Sequence, residues 1–204
     1  DEAYTISGKV DQEEFEKDWK EASKIADDLI RRLVSRGDEG FGIVKPKFIP
    51  YAPMIPVFAA MRKFIDKRKD YPTCMKKIEH WYWNNVFSEN YGSATDTQGE
   101  DDFEDMKTWI NDGDDESPFP AGGLKDIEKS KPNAADYNGI MCLIAKKGAK
   151  DFLKSDPPDY STLHDHHIFP KSKAKKWGAK KDTVNMVFNR TLLFERTNQM
   201  IGNK

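Results

Sequence analysis

Apolar residues near the start of the chain recur at alternating steps of four and three positions, and this spacing constrains the fold more than any other feature. The residues that share it are Phe15, Trp19, Ala22, Ala26, Leu29 and Leu33. Because an α-helix turns once every 3.6 residues, they fall on one face. Asp11 followed by Glu14 is typical of a helix start, and Gly37 is typical of a stop. We therefore predict a long amphipathic helix whose apolar stripe packs in the core.

Shorter apolar repeats of the same period predict four further helices. The first follows Pro56, the second is centred on Tyr82, the third covers residues 101–110, and the fourth begins at Asn133. The acidic clusters at residues 100–105 and 112–116 lack the spacing of a calcium-binding loop, so we interpret them as solvated surface. The Pro- and Gly-rich stretch 111–123 is predicted to be an exposed loop.

The pattern changes near the end of the chain. Two short β-like runs, near residues 166–169 and 190–194, precede a helix-like tail from Glu195. The predicted fold is mainly α, with a helical scaffold over residues 1–155 and a strand–loop–strand–helix unit over residues 156–204. We treat both as parts of one compact unit. A start at an Asp rather than a Met is typical of a fragment of a longer protein.

Composition excludes several classes of protein. Charged residues make up 33% and aromatic residues 12% of the chain, which is typical of a folded protein and not of a disordered polyelectrolyte. The longest apolar run, about residues 48–61, is interrupted by Pro50, Pro53 and Pro56, so no membrane span is predicted. Cys74 and Cys142 have no nearby cysteine partner, which favours the reducing cytoplasm.

Positive charge is concentrated at the C-terminal end. From residue 146 onward the chain has thirteen Lys and Arg residues and six Asp and Glu residues, an excess of seven positive charges. Because the whole chain carries −2, residues 1–145 carry −9. Such a segment favours a polyanionic partner. The candidate phosphate contacts are Lys171, Lys173, Lys175, Lys176, Arg190 and Arg196.

Three of the four histidines lie in the segment His-Asp-His-His at residues 164–167. Imidazole is a common metal ligand and also a base near neutral pH. His166 is a candidate ligand of a divalent cation, and His167 is a candidate general base for a water that attacks phosphorus. Asn198 is the candidate second ligand through its amide oxygen, and Asn189 is a candidate positioning residue.

Strand geometry leaves the pairing of these groups open. Neighbouring residues of a regular strand point to opposite faces, so His166 and His167 can serve one site only if the strand twists or bulges. In a regular strand the pair would instead be Asp165 with His167, or His164 with His166. A purely structural role for all three histidines is the remaining alternative.

Three segments resemble an HNH (ββα-metal) nuclease site: Asp-His-His-Ile-Phe-Pro-Lys at 165–171, Asn-Arg-Thr-Leu-Leu at 189–193, and Thr-Asn-x-x-Ile-Gly-Asn-Lys at 197–204. Among such nucleases the chain is most similar to the C-terminal module of GmrSD-like modification-dependent restriction enzymes, which include the phosphorothioate-sensing SspE proteins. The likeness extends upstream through His-Trp-Tyr-Trp at 80–83, Phe-Ser-Glu-x-Tyr at 87–91 and Ala-Thr-Asp-Thr at 94–97.

The resemblance implies that His167 is the general base, Asn189 the positioning Asn, and His166 and Asn198 the metal ligands. The cofactor would be a divalent cation, Mg²⁺ or Mn²⁺ first, with Zn²⁺ and Ni²⁺ also compatible. The partner would be double-stranded DNA. Such enzymes also carry an N-terminal nucleotide-hydrolysing recognition module, in the same protein or in a partner chain. No counterpart of its motifs is present in this sequence.

We therefore expect a cytoplasmic, metal-dependent DNA endonuclease that nicks or cleaves the duplex in prokaryotic restriction of phage. One alternative is a non-catalytic DNA-binding module that keeps the HNH-like fold and its lysines. Another is a metal-stabilised interaction domain without a role in nucleic-acid binding.

Overall fold

Seven α-helices and one two-stranded sheet make up the regular structure that the computed structural model describes. It covers residues 11–88, 90–92, 95–113, 115–119, 127–153, 159 and 162–201. The elements are α1 (Gln12–Val34), α2 (Met54–Ile65), α3 (Tyr71–Ser88), α4 (Thr95–Asp112), α5 (Ala135–Lys146), β1 (Leu163–His167), α6 (Lys181–Asn185), β2 (Arg190–Phe194) and α7 (Glu195–Ile201). The prediction of a mainly α fold is confirmed. Parts of the predicted loop 111–123 and of the matched segments 87–91, 94–97 and 197–204 lie outside the described residues.

Helix α1 has the predicted ends. The carboxylate of Asp11 caps its first turn by accepting hydrogen bonds from the backbone N–H groups of Glu13 and Glu14, at 2.9 and 3.2 Å. Its last residue is followed by Ser35, whose backbone N–H still bonds to the helix, and Gly37 then adopts a φ of +83°. A left-handed backbone of this kind favours glycine and stops a helix.

The predicted core stripe on α1 is correct for only two of its six residues. Leu29 and Leu33 are buried, but Phe15 and Trp19 are 55% and 65% exposed, and Ala22 and Ala26 are exposed as well. Length supplies the reason: α1 has 23 residues, about 35 Å, whereas its partner α2 has 12 residues, about 18 Å. The first turns of α1 extend past the surface on which the last turns pack.

Aromatic side chains fill the core between α2, α3 and α5. The ring of Phe41, from the loop after α1, lies 5.1 Å from that of Phe58 and 4.7 Å from that of Tyr82, both edge to face. The adjacent Gly42 has a φ of +69°, and a Cβ there would come within 2.2 Å of the carbonyl oxygen of Cys142. Glycine at this position therefore allows the loop to lie against α5.

One acidic residue of the 100–105 cluster is not on the surface. Asp102 is 3% exposed and accepts hydrogen bonds from several side chains. The donors are Trp81 Nε1 at 2.5 Å, Tyr91 Oη at 2.7 Å, Gln98 Nε2 at 2.7 Å and Asn85 Nδ2 at 3.3 Å. The interpretation of this cluster as solvated surface is therefore wrong for Asp102, whose carboxylate joins α4 to α3.

Strands β1 and β2 pair antiparallel, with Leu163 opposite Phe194 and His167 opposite Arg190. Leu163 and Leu192 are buried in the helical core, and α5 contacts β2, so the sheet packs on the scaffold. Helix α7 begins at the residue that follows β2. Within the described part of the chain, no helix combines the length and apolarity that crossing a bilayer requires.

Candidate functional site

The two adjacent histidines occupy the end of β1. His166 lies opposite Thr191 and His167 opposite Arg190, in a register that is regular along the whole strand. The ring centroids are 6.5 Å apart and the ring planes meet at 78°. The strand does not bulge here, so side chains alternate between its two faces, and His166 and His167 point to opposite faces. The short distance between the two rings reflects their adjacent positions in the chain.

His167 is oriented by an amide. Its Nε2 lies 3.2 Å from Oδ1 of Asn185, the last residue of α6. A carbonyl oxygen only accepts, so Nε2 carries the proton and Nδ1 keeps the free electron pair in the neutral ring. Burial lowers the pKa of His167, and the charge of Arg190 lowers it further. Both effects favour the neutral imidazole, which is the form that accepts a proton.

The ring of His166 carries a candidate ligand atom. Its Nδ1 is shielded from solvent and has no hydrogen-bond partner among the residues that the structure describes. Buried polar atoms in proteins are nearly always paired, so an unpaired ring nitrogen is compatible with a bound cation. The part of the chain that the structure describes has no group of three His, Cys, Asp or Glu residues able to hold a metal. A cation bound here would therefore need oxygen ligands such as the amide of Asn198, which is half-buried on α7.

Asn189 connects the segment after β1 to the segment before β2. Its Oδ1 accepts from the backbone N–H of Phe169 at 2.7 Å, and its Nδ2 donates to the carbonyl of Phe169 at 3.1 Å. Nδ2 also lies 2.8 Å from the carbonyl oxygen of Val184. These contacts hold the segment that follows His167 against the segment that precedes β2. Asn189 ends a short turn, and β2 begins at the next residue, Arg190, where the second β-like run was predicted.

Asp165 is held by the scaffold. Its carboxylate accepts hydrogen bonds from Tyr137 Oη at 2.8 Å and Lys47 Nζ at 3.0 Å, and it lies 3.4 Å from the guanidinium of Arg190. Burial alone would raise the pKa of Asp165, but these hydrogen bonds and positive charges outweigh burial and lower it. A carboxylate with three such partners is poorly suited to the alternative metal pair of Asp165 with His167.

The alternative pair of His164 with His166 remains geometrically possible. Alternation along β1 places His164 and His166 on the same face of the sheet. His164 is exposed, so its ring is open to solvent.

The buried carboxylate of Asp151, which no sequence pattern predicted, holds the start of α7. Asp151 is 6% exposed and accepts from the hydroxyl of Thr197 at 2.8 Å and from the backbone N–H of Phe194 at 3.1 Å. These contacts fix the junction of β2 and α7, and hence the position of Asn198. Asp151 follows a predicted helix within a charged stretch, where neither spacing nor motif distinguishes it from a surface residue.

The predicted phosphate contacts fall into two groups. Lys171, Lys175, Lys176 and Arg196 are exposed, and Lys173 is half-buried. The side chain of Arg190 is only 11% exposed and faces Asp165. Because its guanidinium is paired with the Asp165 carboxylate, we correct the prediction for Arg190 and do not count it among the DNA contacts.

No protein-family model and no solved structure matches the chain. The chain is 30% identical over 200 residues to the uncharacterized protein MJ0686 of Methanocaldococcus jannaschii. The alignment covers 93% of this chain and 33% of the archaeal protein, so the chain spans about a third of that relative's length.

Proposed function

We propose that this chain is a metal-dependent DNA endonuclease of the HNH (ββα-metal) class. The observation that carries the proposal is the order of the elements that follow the two histidines at the end of β1. Its partner strand β2 leads directly into α7, the helix of Asn198. The order strand, basic loop, strand, helix is the one that such a site requires.

His166 and Asn198 would hold the cation through the unpaired ring nitrogen and the amide oxygen. When bound, a divalent cation, Mg²⁺ or Mn²⁺ first, neutralises phosphate charge and stabilises the departing 3′ oxygen. Nδ1 of His167 would accept a proton from a water molecule as its oxygen bonds to phosphorus and the bond from phosphorus to the 3′ oxygen breaks. Asn185 keeps that nitrogen free by accepting a hydrogen bond from the N–H group at Nε2. Asn189 keeps the loop after β1 in place.

The DNA would lie along the lysine-rich loop between the strands, where Lys171, Lys175 and Lys176 are exposed. Lysine contacts to phosphate position a duplex without reading its sequence. We therefore assign selectivity to a separate nucleotide-hydrolysing recognition module, in a longer form of the protein or in a partner chain. The setting we propose is cytoplasmic restriction of phage DNA in a prokaryote.

Metal removal tests the catalytic proposal. The chain should nick supercoiled plasmid DNA with Mg²⁺ or Mn²⁺ and stop when a chelator is added, because phosphate hydrolysis here needs the cation. Gel electrophoresis follows the conversion of supercoiled to relaxed plasmid. Calorimetric titration with Mn²⁺ should show binding to the wild type and weaker binding to His166→Ala, by about 10-fold or more. Nicking that continues in excess chelator would refute the metal-dependent mechanism.

Charge reversal of two exposed lysines tests the DNA surface. Lys175→Glu with Lys176→Glu should weaken duplex binding by at least about tenfold. It should also lower the slope of log K against log salt by about 2, because two phosphate contacts are lost. Fluorescence anisotropy at several salt concentrations measures both quantities. Lys20→Glu with Lys24→Glu makes the same charge change on exposed positions of α1 and serves as the control. Equal loss in both double variants would show that net charge alone drives binding.

A non-catalytic DNA-binding module is the second candidate. It is favoured by one observation, that β1 is regular, so alternation places His166 and His167 on opposite faces. Such a module would bind the duplex with the same salt dependence and leave the plasmid supercoiled with every metal tested.

A further inference from the structure

An apolar pocket of about 430 Å³ opens in the loop between the two strands. The rings of Phe169, Trp177 and Phe188 stand at it and are 63%, 53% and 65% exposed. Phe169 and Trp177 meet edge to face, with centroids 6.1 Å apart. The volume lies within the range of pockets that bind small molecules, roughly 300–1,000 Å³. Three large exposed rings around one pocket mark a surface that binds something.

The pocket adjoins the candidate base. Phe169 is two residues beyond His167, and its backbone is fixed at both N–H and C=O by Asn189. Asn185, which binds the ring of His167, lies between the pocket residues Val184 and Met186. Whatever enters the pocket is therefore held by the same short segments that hold the imidazole.

The charge around the pocket selects its occupant. Residues 168–181 contain six lysines and no Asp or Glu. Lys171, Lys175, Lys176 and Lys180 are exposed. An apolar peptide would gain little from this charge, whereas a nucleic-acid strand offers flat bases and a phosphate at each unit. Rings for stacking combined with lysines for phosphate are what single-stranded nucleic acid binds.

We propose that this pocket takes one unpaired nucleobase of the bound DNA, turned out of the duplex close to the scissile phosphate. The inference rests on the proposed function, which supplies the DNA. It adds a preference that the lysines alone would not give: the chain favours duplexes with a base that is already unpaired. Turning a paired base outward costs a few kcal/mol, and an unpaired base avoids most of that cost.

The experiment compares three labelled duplexes by fluorescence anisotropy with the full chain in chelator, where no cleavage interferes. The first is fully paired, the second has one unpaired adenine, and the third has an abasic nucleotide at the same extra position. The second should bind about tenfold more tightly than the third, since the two duplexes differ only in the base that can stack in the pocket. Phe188→Ala should abolish this difference. Trp19→Ala and Phe152→Ala, which remove exposed aromatics elsewhere, should keep it.

Equal affinity for the adenine and abasic duplexes would overturn the pocket proposal. If the chain also nicks plasmid with metal, the proposed function stands without it. Failure to bind any duplex would overturn both. A dimer in size-exclusion chromatography that Phe188→Ala dissociates, together with equal affinities, would identify the pocket as a contact between copies. Trp177→Ala provides a second test from the opposite wall, and circular dichroism shows whether each variant is folded.

Discussion

His167→Ala should lower the rate of plasmid nicking by about 10²- to 10⁴-fold while DNA affinity stays close to that of the wild type. The reason is that the alanine removes the group that accepts the proton of the attacking water, an effect of this size in general base catalysis. The ring is half-buried and bonds only to Asn185 among the hydrogen bonds described for it, so the fold should tolerate its loss. Single-turnover nicking at saturating Mn²⁺ and anisotropy in chelator measure the two quantities.

Two further histidine variants sharpen this test. His80 is exposed on α3, where its ring lies 3.3 Å from the carbonyl oxygen of Phe119, and His80→Ala should nick at the wild-type rate. His164→Ala separates the competing pairs: if it abolishes nicking while His167→Ala does not, the site is built from His164 and His166. Equal nicking by the wild type and His167→Ala would refute the assignment of the base.

Asp102→Ala should lower the free energy of unfolding by about 4 kcal/mol. The substitution removes a buried carboxylate and leaves the donors of Trp81 and Tyr91 without an acceptor in the core. Hydrogen bonds to a charged group contribute about 1.5–3 kcal/mol each, and buried donors without partners add a further cost. For a chain of this length the melting temperature should fall by about 10 °C, as thermal circular dichroism would record.

The neighbouring Asp101 gives a matched control, because it is an exposed aspartate on the same helix. Asp101→Ala should change the free energy of unfolding by no more than about 0.5 kcal/mol. Asp102→Asn keeps one acceptor oxygen and should fall between the two. If Asp102→Ala melts at the same temperature as Asp101→Ala, the buried network does not stabilise the fold in the way its distances indicate.

The helical part of the fold was largely readable from local patterns. The cap at Asp11 and the stop at Gly37 depend on hydrogen bonds and backbone angles within a few residues, so the sequence predicts them directly. The apolar period predicts which face of α1 is apolar. It does not predict how far a partner helix covers that face, and for this reason Phe15 and Trp19 were wrongly assigned to the core.

Tertiary contacts decided the surroundings of the histidines. Asp165 binds Lys47, which is 118 positions away in the chain, and Tyr137, which is 28 positions away. Arg190 faces the same carboxylate, which removes it from the set of exposed cations. The aromatic pocket likewise forms only when residues up to 20 positions apart, from Phe169 to Asn189, fold together.

The sequence by itself determined the mainly helical class, the ends of α1 and the order in which His166, His167, Asn189 and Asn198 follow one another. These features depend on periodicity and on neighbours within a few residues, which a linear pattern records. Only the tertiary structure decided which acidic residues are buried, which cations remain exposed and what surrounds each imidazole. Those outcomes depend on contacts between segments that are distant in the chain. Such contacts produce no local pattern of residues from which they could be predicted.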